Sequence, residues 1–230
     1  MRAVSGISAT ERAVQGFRAL VRPEVWSALV QAGAHREYEP GQRLFSQGDQ
    51  SGWLLVLVAG RVKVSYAERA GDELLLAVRG PGDLIGEFSG RDDAPRSATI
   101  QTLEHCVAYA LPQDRFADFL RTHRIYRELD RYLMAKVRQS AAHTWRLAHQ
   151  PTAARLASLL LEVLASAGPE HPSPARIPMS QAELAVALGL ARSSVASTLA
   201  RWRREGVVET GRAHIVLLDV EAIEREAARV

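Results

Sequence analysis

The sequence predicts an α+β chain in which a roll of short antiparallel strands precedes a long helix and a small helical module that ends in a β-hairpin. Turns rich in glycine and proline recur through residues 36–112, and glycine is then absent until Gly168. Short β-rich runs between regular turns are typical of a jelly-roll-like roll or barrel. We therefore expect a roll with short N-terminal helices in residues 1–112, a long helix and hinge in 113–150, and the helical module in 151–230.

Composition limits the classes of protein. A chain of 230 residues with 47% hydrophobic residues can bury the cores of two domains. Its single cysteine, Cys106, excludes an internal disulfide and a cysteine-only metal site and fits a reducing cytoplasm. With neither an apolar leader nor a run of about 18 apolar residues, we expect a cytoplasmic protein without a membrane segment. The seven histidines follow no catalytic or metal-binding spacing, so we expect neither enzymatic activity nor a metal.

The first elements are short helices followed by strands. Phe17, Trp26 and Leu29 lie at roughly helical spacing and predict helical segments within residues 10–35. From Arg36 the pattern changes to short apolar runs between glycine turns. The expected strands are Trp53–Val58, Val62–Tyr66, Leu74–Val78 and Ala98–Gln101.

One long helix is expected beyond Pro112, and it carries a regular stripe. The stripe comprises Ile125, Leu129, Leu133, Val137, Ala141, Thr144 and Leu147. Steps of four and three residues keep these side chains on one face without forming a strict heptad. This pattern favours a helix that packs on its own roll and on the helix of a second copy. The expected dimer seam is Leu129, Leu133, Val137 and Ala141, and burial of the helix within one chain is the alternative.

The last module begins with a capping box. The Ser180 hydroxyl can accept from the Glu183 amide while the Glu183 carboxylate accepts from the Ser180 amide. Gly189 permits a left-handed turn after this helix, and a second helix starts at about Arg192. Two strand-like runs within residues 207–218 predict a wing, so the module has the parts of a winged helix-turn-helix that reads DNA. The expected DNA-contacting residues are Arg192, Ser193, Ser194, Ser197 and Arg201.

The net charge of the chain is weak evidence for DNA binding, and only the charge of one helix supports it. The net charge is +3, and Lys and Arg outnumber Asp and Glu mainly in residues 111–150, by eight to four. In the second helix of the last module, four arginines precede the first acid, Glu205, and can make one face cationic. A general preference of the chain for arginine over lysine is the alternative explanation.

Residues 86–99 form a second region of chemical interest, Gly-Glu-Phe-Ser-Gly-Arg-Asp-Asp-Ala-Pro-Arg-Ser-Ala-Thr. A glycine-flanked turn offers backbone amides to an anion, and Arg96 offers a planar pair of N–H groups to phosphate oxygens. The Glu87 carboxylate can accept hydrogen bonds from sugar hydroxyls. Together these groups suit a cyclic nucleotide. An intramolecular ion pair between Glu87 and Arg96 is the alternative.

This segment resembles the phosphate-binding cassette of cyclic-nucleotide-binding domains. Residues 184–208 resemble the helix-turn-helix of the cyclic-AMP receptor and anaerobic regulators, the Crp/Fnr family of bacterial transcription regulators. The resemblance implies a cyclic-nucleotide-binding β-roll, a dimerisation helix and a winged helix-turn-helix. It implies that Glu87 holds the ribose 2′-hydroxyl and that Arg96 and Ser97 hold the cyclic phosphate. The remaining phosphate oxygens fall to amides near Gly86 and Phe88.

The resemblance also bears on the base. In the cyclic-AMP receptor two hydroxyl residues of the long helix contact adenine, and their counterparts here are Ser140 and Ala141. Half of that pair is missing. Cyclic AMP is therefore the first expected effector and cyclic GMP the second, since Ser97 is also compatible with guanine. A cyclic dinucleotide and a site without a ligand stay open.

The implied regulator is a homodimer on a palindromic operator in double-stranded DNA, with RNA polymerase as a further candidate partner. Arg192 matches a family arginine that bonds a guanine edge. Ser193 and Ser197 replace charged family residues, so we expect a different operator sequence.

Two alternatives share this scaffold. One is a haem-based gas sensor, with His105, Cys106 or His123 as an axial ligand. The other is a DNA-binding regulator whose roll dimerises but binds no effector.

Overall fold

The computed structural model describes residues 16–50, 52–68, 73–88 and 94–229. The predicted α+β architecture is confirmed: a roll comes first, helices follow, and a winged helix-turn-helix ends the chain. The first 15 residues of the predicted N-terminal domain and the centre of the predicted cassette, residues 89–93, lie outside the described ranges.

Two four-stranded antiparallel sheets form the roll. Its strands are β1 (Ala34–Tyr38), β2 (Arg43–Phe45), β3 (Trp53–Ala59), β4 (Val62–Ala67), β5 (Glu73–Arg79), β6 (Leu84–Ile85), β7 (Thr99–Thr102) and β8 (Cys106–Pro112). One sheet has the order β1-β8-β3-β6 and the other β2-β7-β4-β5. The four strands expected from the sequence are β3, β4, β5 and β7, each within one residue at either end.

Helices cover the roll and build the C-terminal half. After a 3-10 turn at Phe17–Leu20 they are α1 (Pro23–Ala32), α2 (Gln113–His123), α3 (Tyr126–His149), α4 (Thr152–Ala165), α5 (Gln181–Ala187), α6 (Arg192–Arg204) and α7 (Val220–Ala227). No helix in the described ranges is both long enough and apolar enough to cross a membrane.

The continuous apolar run of β3 is explained by burial on both faces. Leu55 and Leu57 point into the core between the two sheets. Leu54 and Val56 point the other way, into a core shared with α1, α2 and the first half of α3. Because successive side chains of a strand face opposite sides, a strand buried on both faces has no polar positions.

The helix predicted across residues 113–150 is divided into α2 and α3. Arg124 separates them with φ of 56°, the one non-glycine positive φ in the described chain, and its amide donates to the Leu120 carbonyl. A left-handed residue ends a helix, but glycine usually occupies that position. Nothing in the local sequence therefore marked this break.

The C-terminal module follows the predicted plan. The Ser180 hydroxyl accepts from the Glu183 amide at 3.2 Å, and the Glu183 carboxylate accepts from the Ser180 amide at 2.8 Å. Gly189, with φ of 59°, turns the chain between α5 and α6. The wing pairs β10 (Val208–Thr210) with β11 (Ile215–Leu217), and β9 (Arg176–Ile177) pairs with the other side of β11. Neither β9 nor α7 was predicted from the sequence.

A fully buried arginine joins the roll to the C-terminal module. The guanidinium of Arg61, the residue just before β4, donates to both oxygens of Glu104 at 2.8 Å. It also donates to carbonyls of the C-terminal module, at 3.1 Å from Val163 and 2.9 Å from Arg176. His171 of that module lies 3.2 Å from Glu104. We call Arg61, Glu104 and His171 the interdomain latch.

Side chains from α3 and α4 cover β5, an edge strand of the second sheet. The Glu162 carboxylate accepts from the Val78 amide at 3.0 Å, and Nε2 of His143 lies 3.0 Å from the Leu75 carbonyl. Leu75 and Val78 themselves pack in the core of the C-terminal module. These contacts satisfy backbone groups that an edge strand otherwise leaves open.

Candidate ligand site and nucleic-acid interface

Arg96 is a buried cation, with 4% of its surface exposed. Its Nη1 donates to the Gly86 carbonyl at 2.9 Å, its Nη2 donates to the Trp53 carbonyl, and its guanidinium lies 3.7 Å from the centre of the Phe45 ring. Its Nε has no hydrogen-bond partner. Burial lowers the pKa of Arg96, against the raising effect of nearby carboxylates. A buried guanidinium held by neutral acceptors, with a donor left over, is suited to receive an anion.

Gly86 lies directly beside this guanidinium. Its φ is 85°, and a Cβ at this position would lie 2.3 Å from Nη1 of Arg96. The backbone conformation and the close approach both require glycine here. The predicted Gly-Glu start of the cassette is therefore built to bring the chain against Arg96.

Glu87 is buried, and its carboxylate binds Lys136 of α3. Nζ of Lys136 donates to Oε1 of Glu87 at 2.5 Å and to the Leu84 carbonyl at 2.9 Å. Burial lowers the pKa of Lys136, and the charge of Glu87 acts in the opposite direction. No carboxylate of the described residues, Glu87 included, lies within ion-pair distance of Arg96. The alternative in which Glu87 and Arg96 form a pair is therefore not what the structure contains.

Lys136 was missed from the sequence, although a signal was present. It is one of two lysines in an arginine-rich chain, and it follows Leu129, Tyr132 and Leu133 on the buried face of α3. A lysine on a buried helical face requires a partner. That partner is Glu87, on the cassette.

These groups line a pocket of about 90 Å³ between the cassette and α3. The pocket adjoins a cleft of about 670 Å³ between the roll, α3 and α4. Ligand sites for small molecules usually measure roughly 300–1,000 Å³. A nucleotide therefore fits only if it extends from the pocket into further space.

The structure brings five of the six predicted ligand residues to this pocket. Gly86, Glu87, Phe88, Arg96 and Ser97 all line it. Phe88 is 43% exposed, and Ser97 is exposed as well. Ser140 is exposed on α3 and is not part of the pocket wall.

The predicted dimer seam divides into two halves. Leu129 and Leu133, 1% and 8% exposed, pack against the chain's own roll, so they are unavailable to a partner. Val137 and Ala141 are exposed. The exposed apolar stripe of α3 is Met134, Val137, Ala141 and Trp145. The assignment of Leu129 and Leu133 to a seam is therefore wrong, because the stripe read from the sequence combined an inner and an outer face of α3.

The N-terminal end of α6 is exposed. Arg192 is its first residue, and Arg192, Ser193 and Ser197 are exposed while Ser194 is half-buried. The preceding residue, Ala191, provides no side-chain cap. The helix therefore presents uncapped amides and a cation, which together attract phosphate.

Arg201, the fifth predicted DNA contact, is half-buried and paired with carboxylates of its own module. It donates to Glu226 of α7 at 3.0 Å and lies 3.6 Å from Glu205. The hydrogen bond to Glu226 raises the pKa of Arg201. The ion pair with Glu226 ties α6 to α7, and both ion pairs engage a side chain that is 36% exposed.

The three candidate axial ligands of a haem lie in different environments. The Cys106 thiol is buried in the roll, and burial raises its pKa to about 12, so it is a poor source of thiolate. The side chain of His105 is half exposed and lies 3.5 Å from Glu37, while the ring of His123 packs on Phe119. Within the described chain no group of three or more His, Cys, Asp and Glu is arranged for a metal.

Comparisons with known proteins match both parts of the fold. Residues 35–123 match the cyclic nucleotide-binding domain, and residues 154–226 match the Crp-like helix-turn-helix domain. The transcriptional regulator LdrP of Thermus thermophilus is 32% identical over 194 residues, which cover 81% of this chain and 93% of that protein.

Two further relatives cover most of the chain. A CRP-like cAMP-activated global transcriptional regulator of Mycobacterium tuberculosis is 25% identical over 210 residues, which cover 90% of this chain and 94% of that protein. A solved CRP-family transcriptional regulator of Thermus thermophilus is 25% identical, with a TM-score of 0.69, and the match covers 85% of this chain and 97% of that one.

Proposed function

Because the chain belongs to the Crp/Fnr family of transcription regulators, we propose that a cyclic nucleotide bound in its roll controls how it binds DNA as a dimer. The family assignment makes the protein a DNA-binding regulator with a cyclic nucleotide-binding domain. We propose further that a cyclic nucleotide is the effector, that the chain forms a dimer, and that the residues named above contact ligand and DNA.

The environment of Arg96 is the main support for a nucleotide effector. Arg96 is a buried arginine whose bonded partners are two neutral carbonyls, and its Nε is unsatisfied. A buried charge without a carboxylate at ion-pair distance is costly, and a bound phosphate would give it charge-assisted hydrogen bonds. The relative from Mycobacterium tuberculosis, activated by cAMP, supports a cyclic nucleotide as the source of that phosphate.

The pair of Glu87 and Lys136 supports a route from the ligand to the dimer helix. Glu87 belongs to the cassette and Lys136 to α3. A ribose hydroxyl that bonds Glu87 would compete with Lys136 and so change how α3 is held. The nucleotide would favour one arrangement of α3 only by binding it more tightly than the other.

The dimer seam that the structure supports is the exposed stripe of α3. Met134 and Val137 are each 52% exposed and Trp145 is 50% exposed, an unusual apolar exposure for one helix face. Steps of three and four residues suit packing against an identical helix. The resulting twofold dimer would present two copies of α6 to half-sites about 34 Å apart.

Calorimetric titration with cyclic AMP and, separately, cyclic GMP tests the effector. Removing the charge in Arg96→Leu would cost about 2–5 kcal/mol, which is a loss of roughly 30-fold to several thousand-fold in affinity. Arg115→Leu, an exposed arginine on α2, is the matched control. Since Arg96 also holds Gly86 and Trp53, Arg96→Lys and thermal unfolding show whether the cassette still folds. A wild type that binds neither nucleotide refutes the proposal.

A regulator without a cyclic-nucleotide effector is the second candidate. The small pocket favours it, because 90 Å³ is far below the volume of a usual ligand site. In that case DNA binding by the full chain would be the same with and without either nucleotide.

A further inference from the structure

Arg79 stands where the cassette pocket opens into the adjoining cleft. It is the last residue of β5. Of the described residues, Arg79 and Lys136 are the two that line both the pocket and the cleft. A molecule that reaches from one space into the other must therefore pass beside them.

The guanidinium of Arg79 is anchored but not neutralised. Its Nη1 donates to Oε1 of Gln139 on α3 at 2.7 Å and lies 3.3 Å from the Val78 carbonyl. Both acceptors are neutral, and among the residues described no carboxylate pairs with Arg79. Lys136, by contrast, has Glu87 as a partner. Arg79 thus remains a planar donor without a carboxylate partner among the described residues.

The shape of the pocket gives the direction in which a nucleotide lies. Its inner wall is closed by the buried apolar side chains of Leu84, Ile85 and Ile100. With a phosphate at Arg96, the remaining atoms exceed the pocket and extend beyond it. The residues that the pocket shares with the cleft, Arg79 and Lys136, mark one opening through which they can extend.

We infer that Arg79 reads the acceptor edge of the purine and makes the protein prefer cyclic GMP to cyclic AMP. The inference rests on the proposed function, since it needs a cyclic nucleotide with its phosphate at Arg96. It reverses the order of effectors expected from the sequence. Guanine presents two acceptors, O6 and N7, to a planar arginine, whereas adenine presents one acceptor and an amino donor.

Gln139 does not offer the opposite preference. A bidentate contact of glutamine with adenine needs both the amide oxygen and the amide nitrogen. The oxygen of Gln139 already accepts one hydrogen bond from Arg79 and keeps one further lone pair. The pair therefore offers more N–H donors than acceptors, which favours guanine.

Calorimetry with cyclic GMP and cyclic AMP on the full chain tests the inference. A bidentate contact between arginine and guanine discriminates by roughly 5- to 150-fold, so the wild type is expected to bind cyclic GMP tighter by that factor. Arg79→Met should lose this preference through weaker binding of cyclic GMP, with cyclic AMP affinity changed less than about twofold. Arg79→Lys keeps the charge without the planar fork and should also lose most of the preference. Arg115→Met is the control for loss of an exposed arginine.

The outcomes separate the inference from the function on which it rests. Equal or tighter binding of cyclic AMP by the wild type overturns the role of Arg79 and leaves the nucleotide site standing. A full preference for cyclic GMP retained in Arg79→Met and Arg79→Lys overturns it as well, as does an equal loss for both nucleotides. Binding of neither nucleotide by the wild type overturns the proposed function together with the inference.

Discussion

Replacing Arg61 with methionine should partly separate the two halves of the protein. Methionine keeps much of the length and apolar stem of arginine while removing its five N–H donors. The substitution breaks the bidentate contact with Glu104 and the bonds to the Val163 and Arg176 carbonyls. The interdomain latch would then consist of Glu104 and His171 alone.

The expected cost follows from burial. Arg61 is completely buried and the Glu104 side chain is 20% exposed, so Glu104 would remain largely desolvated without its main partner. Breaking a buried pair on one side typically costs about 3–5 kcal/mol. Against a total stability on the order of 5–15 kcal/mol, this is a large fraction. The double variant Arg61→Met with Glu104→Leu should recover part of the loss, because no unpaired carboxylate remains.

Urea unfolding followed at two tryptophans measures the effect. Trp26 lies in the core of the roll and Trp202 in the core of the C-terminal module, so variants that retain one tryptophan report each half separately. With Arg61 in place, we expect the unfolding transitions reported by the two tryptophans to coincide. With Arg61→Met, we expect the two transitions to occur at different urea concentrations. Coincident transitions in Arg61→Met, or a loss below about 1 kcal/mol, would refute a role of the latch in holding the halves together.

The same latch has a pH signature. Burial alone would raise the pKa of Glu104, but the hydrogen bonds and charge of Arg61, together with His171, lower it below its ordinary value of 4.5. A carboxyl whose pKa is lower in the folded state stabilises that state above its unfolded pKa, and this contribution is lost as the pH falls through the folded pKa. Acid should therefore weaken the wild-type latch below about pH 4.5, and this dependence should shrink in Arg61→Met.

Two further predictions concern assembly and DNA. Val137→Glu places a charge on the exposed apolar stripe of α3 and should give monomers at micromolar concentration in sedimentation. Ala142→Glu, on a face turned about 100° from Ala141, should stay dimeric, and a dimeric Val137→Glu would exclude this seam. Arg192→Ala should weaken binding to a selected operator by roughly 5- to 150-fold while sparing random DNA. An equal loss on both DNAs, or the same loss in an Arg225→Ala control, would contradict base reading by Arg192.

The ligand roles of the cassette residues were predicted from residue type together with a resemblance. Residue type alone left an ion pair between Glu87 and Arg96 as the alternative, and the resemblance to the phosphate-binding cassette implied their roles toward a nucleotide. Lys136, the partner of Glu87, lies 49 residues from it, and one sequence alone contains no measure of that proximity. Strand positions were predicted well because alternating turns act locally, within a few residues.

Long-range geometry limited the rest. A regular stripe on a helix marks burial but not what covers it, so Leu129 and Leu133 were assigned to a partner although they pack on the roll. The role of Arg61 was not predicted, because its acceptors lie more than 40 residues away in the chain. The break at Arg124 lacked the glycine that usually marks such a turn.

The covering of β5 has a consequence for synthesis of the chain. Glu162, which accepts from the Val78 amide, lies 84 residues later and so leaves the ribosome after the strand that it covers. At roughly 5–20 residues per second this interval is about 4–17 s, during which the edge of the nascent roll is open to pairing with another strand. A truncated chain that ends before α4 lacks Glu162, so the edge of β5 stays uncovered. Expression of the isolated roll should therefore yield aggregates rather than a folded effector domain, unless a substitution such as Val78→Pro removes the free amide.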